Sequence, residues 1–140
     1  MKFEIIPKKS AGPIQIGQTR ENVRKAANSN VEEFMKTPTS ASPTDAFDEL
    51  GIHVYYDKQD RCEAIELWSE SNPTYKGVSL FDMSPKQAIS WLRKLDKAIE
   101  IDDVGAISRK MGISLYANEG IDNSTDKIDS VMVFGEGYYD

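Results

Sequence analysis

The feature that most constrains how this 140-residue chain can fold is a weak duplication. Asp60-Arg61-Cys62-Glu63-Ala64-Ile65-Glu66-Leu67-Trp68 aligns with Asp126-Lys127-Ile128-Asp129-Ser130-Val131-Met132-Val133-Phe134. Acid, base, acid, small, β-branched, aliphatic and aromatic positions correspond. Upstream, Leu50-Gly51-Ile52-His53-Val54-Tyr55 aligns with Met111-Gly112-Ile113-Ser114-Leu115-Tyr116, and residues 12–19 align with residues 77–84. The three blocks occur in the same order in both halves. A spacing of roughly sixty residues is too long for a solenoid repeat, so each half is read as one supersecondary unit that cannot bury its core alone.

Each unit reads as a short strand, a helix and a hairpin. In the second half Ser84 suits an N-cap, Pro85 the first helical position and Gln87 the third position of a capping box. Ala88, Leu92, Leu95 and Ile99 follow at helical spacing. In the first half Thr19 starts a helix through Val23, Ala26 and Ala27. Asn28-Ser29-Asn30 interrupts it, and Val31, Phe34 and Met35 resume an apolar helical face. Residues 37–44, with Pro38 and Pro43, read as an exposed loop, and residues 2–6 as an opening strand on a sheet edge. The fold class expected is α+β: a mainly antiparallel sheet with helices on one face, built from two pseudo-symmetric helix-plus-hairpin repeats. The repeats span approximately residues 10–70 and 75–140 within a single domain of residues 1–140.

Alternation then separates two sheet faces. A turn over residues 57–60 sets Tyr56 opposite Arg61, Tyr55 opposite Cys62, Val54 opposite Glu63, His53 opposite Ala64 and Ile52 opposite Ile65. One face carries Ile52, Val54, Ile65 and Leu67, with Ile113, Leu115, Val131 and Val133 from the second half. This aliphatic set belongs under the helices. The other face carries His53, Tyr55, Cys62, Ala64, Glu66 and Trp68, with Ser114, Tyr116, Ser130, Met132 and Phe134. Aromatics and methionine are enriched where proteins bind partners. Tyr55, Glu66, Trp68, Tyr116, Met132 and Phe134 are therefore candidate partner-binding residues, joined by the terminal Tyr138, Tyr139 and Asp140. The same face also suits a second core covered by a loop, the N-terminal strand or a dimer partner.

Composition narrows the chemistry. Asp plus Glu number 23 against 17 Lys plus Arg, a net charge of −6. That argues against direct nucleic-acid binding, which needs a basic footprint, and favours a basic partner. One cysteine and one histidine leave no disulfide framework and no cysteine or multi-histidine metal site. Cys62 lacks any reactive-thiol signature and reads as buried and inert. His53 lacks an obvious catalytic companion. Asp122 and Asp126 lack the spacing of a calcium loop, and residues 135–138 lack the Lys and Ser/Thr of a phosphate loop. No catalytic residue, metal or cofactor is assigned. No apolar run is long enough to span a membrane, and Met1–Pro7 lacks the apolar core of a signal peptide, so a cytoplasmic location is expected.

The segment Gly17-Gln18-Thr19-Arg20-Glu21-Asn22-Val23, leading into a helix and then a hairpin, resembles the helix-plus-sheet repeat of small bacterial assembly lipoproteins. The β-lactamase inhibitor protein carries a tandem version of that architecture. This chain departs from both in having no lipobox cysteine and no disulfides. In overall type, as a small, acidic, motif-free domain, the whole chain is similar to the immunity proteins of contact-dependent and other polymorphic toxin systems. That resemblance implies a noncatalytic inhibitor of a cognate toxin, such as a basic nuclease, and carries over no catalytic residues. The alternative is a cytoplasmic adaptor or assembly domain that binds another protein through the open sheet face. An enzyme and a small-molecule-binding sheet rank behind both.

Overall fold

The structure is a computed structural model that describes residues 1–40, 42–122 and 127–139. Its two α-helices begin where local chemistry dictates. α1 (Arg20–Ala27) is capped by the Thr19 side chain, which accepts from the Asn22 amide at 3.2 Å. It stops at Asn28, whose left-handed backbone (φ 47°) turns the amide onto the Arg24 carbonyl. α2 (Pro85–Leu95) carries the expected capping box. Ser84 Oγ accepts from the Gln87 amide at 3.3 Å, and Gln87 Oε1 accepts from the Ser84 amide at 2.9 Å. Val23 and Ala27 of α1, and Ala88, Ile89 and Leu92 of α2, are buried.

The strands are β1 (Ile5–Ile6), β2 (Ser10–Ala11), β3 (Ile14–Gln15), β4 (Glu32–Phe34), β5 (Thr44–Phe47), β6 (Ile52–Tyr56), β7 (Cys62–Leu67), β8 (Thr74–Tyr75), β9 (Val78–Ser79), β10 (Glu100–Ile101), β11 (Gly105–Ser108), β12 (Ile113–Tyr116) and β13 (Ser130–Phe134). β1, β2 and β3 form a small three-stranded sheet, and β8 pairs with β9. The remaining eight form one antiparallel sheet in the order β10-β11-β12-β13-β7-β6-β5-β4. Each half of the chain supplies four consecutive strands that run inward from one edge and meet at β7 and β13. Gly51 (φ 73°) and Gly112 (φ 64°) lead into β6 and β12 with backbones that disfavour any side chain. A shared ancestry of the two halves is our inference from the sequence alone.

The main core lies between the helices and one face of the large sheet. Ile52, Val54, Ile65, Leu67, Ile113, Leu115, Val131 and Val133 all point into it, as alternation requires, and Ile5, Ile14 and Leu80 close it from the smaller elements. The sheet thus has helices on one face, in an α+β architecture.

Four expectations need correction. Residues 31–35 do not resume a helix. The Asn28 cap ends α1, and Glu32–Phe34 becomes an exposed edge strand against β5. The stretch read as a loop over 37–44 ends one residue early, because Thr44 already belongs to β5, whose four residues are all buried. The opening strand is shorter than expected, only Ile5–Ile6, and it pairs with β2 at the edge of the small three-stranded sheet. Finally, the β6–β7 register is displaced by two residues: Val54 faces Ile65, His53 faces Glu66 and Ile52 faces Leu67. A shift of two preserves face assignments. The exception is Cys62. A bulge between Tyr55 and Tyr56 leaves Glu63 without a partner and sets Cys62 opposite Tyr56, on the helix side. Cys62 is held there by its backbone, which bonds to Gln18 and Gly17 at 2.8 Å each.

Candidate functional site

The helix-free face centres on the junction of β7 and β13, where Glu66 faces Met132. Glu66 is half-buried and its carboxylate is anchored by two hydroxyls. Tyr55 Oη donates to Oε1, and Ser130 Oγ donates to Oε2 at 2.8 Å. Register explains both bonds. Tyr55 sits diagonally from Glu66 across the β6–β7 pair, and Ser130 diagonally across the β7–β13 pair. Burial, then the bond to the Glu66 carboxylate, pushes the Tyr55 phenol well above its ordinary range, so it is a neutral donor at any physiological pH. A cavity of about 360 Å³ opens over this point, lined by Glu66, Met132, Tyr116, Tyr139, Lys36 and Asp102 among others.

The chain end shapes one side of the site. After β13 the backbone turns through Gly135 and Gly137 and brings two tyrosines back over Phe134. Tyr138 and Tyr139 lie 5.8 and 4.8 Å from the Phe134 ring centroid and 5.0 Å from each other. Beneath them Tyr55, Ala64 and Phe134 form a second, smaller apolar cluster. Burial, then the neighbouring Tyr139 and the carboxylates of Glu63 and Glu66, push Tyr138 up to about 12. Lys8 Nζ meets Glu136 Oε2 at 2.6 Å, and the Arg109 guanidinium donates to the Tyr139 carbonyl at 3.1 Å, so the segment is pinned from both flanks.

Toward the β4 edge lies a separate aromatic group. The His53 ring sits 4.5 Å from Trp68 and 5.3 Å from Phe34, edge-on to both. Its Nε2 is 3.7 Å from Asp48 Oδ1. His53 also directly faces Glu66 across the strands, where the expected register set it opposite Ala64, yet no hydrogen bond joins them.

The nine predicted site residues therefore divide. Glu66, Tyr116, Met132 and Tyr139 line one cavity; Tyr55 supports Glu66 from beside it. Phe134 and Tyr55 are buried, and Tyr138 packs on them. Trp68 is half-buried and belongs to the His53 group. Tyr116 is exposed at the rim. Asp140 lies outside the described residues, as does Asp126. Burial lifts the Cys62 thiol to about 12, the environment of an inert cysteine. Among the described residues no group of three or more His, Cys, Asp or Glu side chains is gathered to hold a metal ion. No helix of the described residues is long and apolar enough to cross a membrane.

Two features were not read from the sequence. Lys36, from the segment after β4, reaches the site with its Nζ 4.1 Å from the Tyr55 ring centroid. On the helix side, the fully buried Asp45 accepts from Arg20 Nη1 (2.8 Å), Arg24 Nε (2.9 Å) and Nη2 (2.7 Å), and Tyr56 Oη (2.8 Å). Arg20 also pairs with Asp60 and stacks 3.9 Å from the Tyr56 ring centroid. This network ties α1 to β5 and β6 and is a structural element. The Arg20 and Arg24 pair at four-residue helical spacing was its one sequence signal.

Comparison with models of protein families, with curated proteins and with solved structures finds no match.

Proposed function

We propose that this protein is a noncatalytic inhibitor, a cytoplasmic immunity protein that neutralises a cognate bacterial toxin domain with a basic, nucleic-acid-binding cleft. The observation that carries this reading is the helix-free sheet face. It presents an anchored carboxylate, Glu66, beside half-exposed aromatic side chains on a rigid eight-stranded platform. Rigid strands suit recognition because little conformational freedom is lost on binding. Aromatic anchors surrounded by polar groups are the usual composition of an interface centre. A nuclease must hold a polyanion, so its cleft is basic, and a protein of net charge −6 is drawn to it with an accelerated association rate.

The test is co-expression in bacteria with candidate nuclease toxin domains from the source organism. Growth restored by this chain, and not by a variant carrying Trp68→Ala and Glu66→Gln together, supports the reading. Growth arrest that persists while the intact chain accumulates in the soluble fraction removes it.

A further inference from the structure

Both Glu66 oxygens are engaged by neutral donors, Tyr55 Oη and Ser130 Oγ. A carboxylate offers about four lone-pair positions, so each oxygen keeps one acceptor site for an incoming donor. Glu66 forms no salt bridge among the described residues. Its negative charge therefore lines the 360 Å³ cavity without a bonded cation.

The cation lining that cavity is Lys36. Its Nζ lies over the face of Tyr55, the same ring whose hydroxyl donates to Glu66. Lys36 is exposed and forms no salt bridge among the described residues. A solvated lysine resting on an aromatic face is held weakly.

We propose that the cavity over Glu66 receives an arginine side chain of the partner protein, whose entry Lys36 opposes as a like charge on the cavity wall. The proposal rests on the protein-binding reading above and gives it a recognition chemistry. Arginine fits better than lysine on three counts. Its planar fork can address both free lone pairs of Glu66 together. It stacks on aromatic faces such as Tyr116 and Tyr139, which line the cavity. It is also less strongly hydrated than an ammonium group, so it enters a half-buried site at lower cost.

The probe is N-acetyl-arginine amide, with the neutral isostere N-acetyl-citrulline amide as control, followed through the methyl resonance of Met132 in the intact protein. The arginine probe should shift that resonance saturably and the citrulline probe should not. Glu66→Gln, which keeps the shape and the acceptor oxygen, should weaken binding about tenfold. Lys36→Ala should tighten it by about threefold, since it removes a like charge from the cavity wall. Saturable binding that survives Glu66→Gln, equal binding of the citrulline probe, unchanged affinity in Lys36→Ala, or no binding to either the wild type or Lys36→Ala overturns the proposal. The outcomes separate it from the reading beneath it. A toxin complex indifferent to Glu66→Gln removes the arginine site and leaves the inhibitor. Glu66-dependent arginine binding without any toxin inhibition does the reverse.

Discussion

Glu66 and Met132 face each other across the β7–β13 junction, where the two halves of the eight-stranded sheet are joined. These positions correspond in the aligned blocks of the two halves. The junction is antiparallel, so β7 and β13 cross at this pair with Ala64 opposite Phe134 on one side of it. The candidate site and the seam of the sheet therefore coincide. Neither half of the chain can form the site alone.

Stability should require both halves of the chain. A fragment of residues 1–72 keeps β4 to β7 but exposes the inner edge of β7 and the apolar side chains of Ile65 and Leu67, which are fully buried in the intact chain. A β7 stripped of β13 leaves its edge groups to water and open to edge-to-edge pairing, and leaves that apolar surface unburied. The fragment should show no cooperative thermal transition and poorly dispersed amide resonances. A sharp transition with dispersed peaks would mean that the halves are independent domains.

Asp45 should be the most costly polar position to truncate. It is fully buried and is the common acceptor for Arg20, Arg24 and Tyr56. Asp45→Ala leaves two guanidinium groups and a phenol facing an apolar gap, and breaking a buried pair from one side costs about 3–5 kcal/mol. Urea denaturation should show a loss at the lower end of that range, because Arg24 retains Glu33 as a partner at 2.7 Å. A loss no larger than that of an exposed surface substitution would refute the structural role of the network.

Acid should destabilise the fold through two carboxyl groups. The Ser108 hydroxyl, then the Ala98 amide, hold Asp96 below the usual carboxylate range; the Arg20 guanidinium does the same for Asp60. A carboxyl whose folded value lies below its unfolded value binds fewer protons when folded. Its stabilisation is complete above the unfolded value, about 4, and disappears as pH falls through the folded value. The urea midpoint should fall as pH drops below about 4, and Asp96→Asn should flatten that dependence. Parallel profiles for the wild type and Asp96→Asn would contradict the assignment.

Trp68 and Phe134 align in the two halves yet should respond differently to truncation. Phe134 is buried beneath Tyr138 and Tyr139, so Phe134→Ala opens a cavity and should cost about 3 kcal/mol or more of stability. Trp68 lies outside that cluster, half-buried against His53. Trp68→Ala should cost less stability than Phe134→Ala but about 2 kcal/mol of partner affinity. Stability losses of equal size would place Trp68 in a covered core instead.

Much of this organisation is legible in the sequence because it rests on local chemistry. Ser84-Pro85 with Gln87 fixes the start of α2, Thr19 fixes the start of α1, and alternation fixes which residues of β6, β7, β12 and β13 face the helices. What escaped is set at long range. The bulge that moves Cys62 to the helix side depends on its bonds to Gly17 and Gln18, forty-odd residues earlier in the chain. β5 is hidden by Asp45, a charged residue buried only because two arginines from α1 reach it. β4 carries Glu32 and Glu33 on an exposed edge, so it shows no period-two apolar pattern. In the site, Glu66, Tyr116 and Met132 follow from alternation, whereas Lys36 depends on the path of the segment after β4. The return of Tyr138 and Tyr139 onto Phe134 depends on turns at Gly135 and Gly137 that the sequence permits without specifying.

The proposed inhibition requires tight one-to-one binding between this acidic sheet protein and its toxin. The most direct measurement is titration of the purified chain into the toxin domain that the co-expression test identifies, with toxin activity as the readout. Activity should fall linearly to zero at one equivalent, and the association rate should decrease as salt is raised, as steering by a net charge of −6 requires. A toxin that keeps full activity in the presence of excess chain would contradict it.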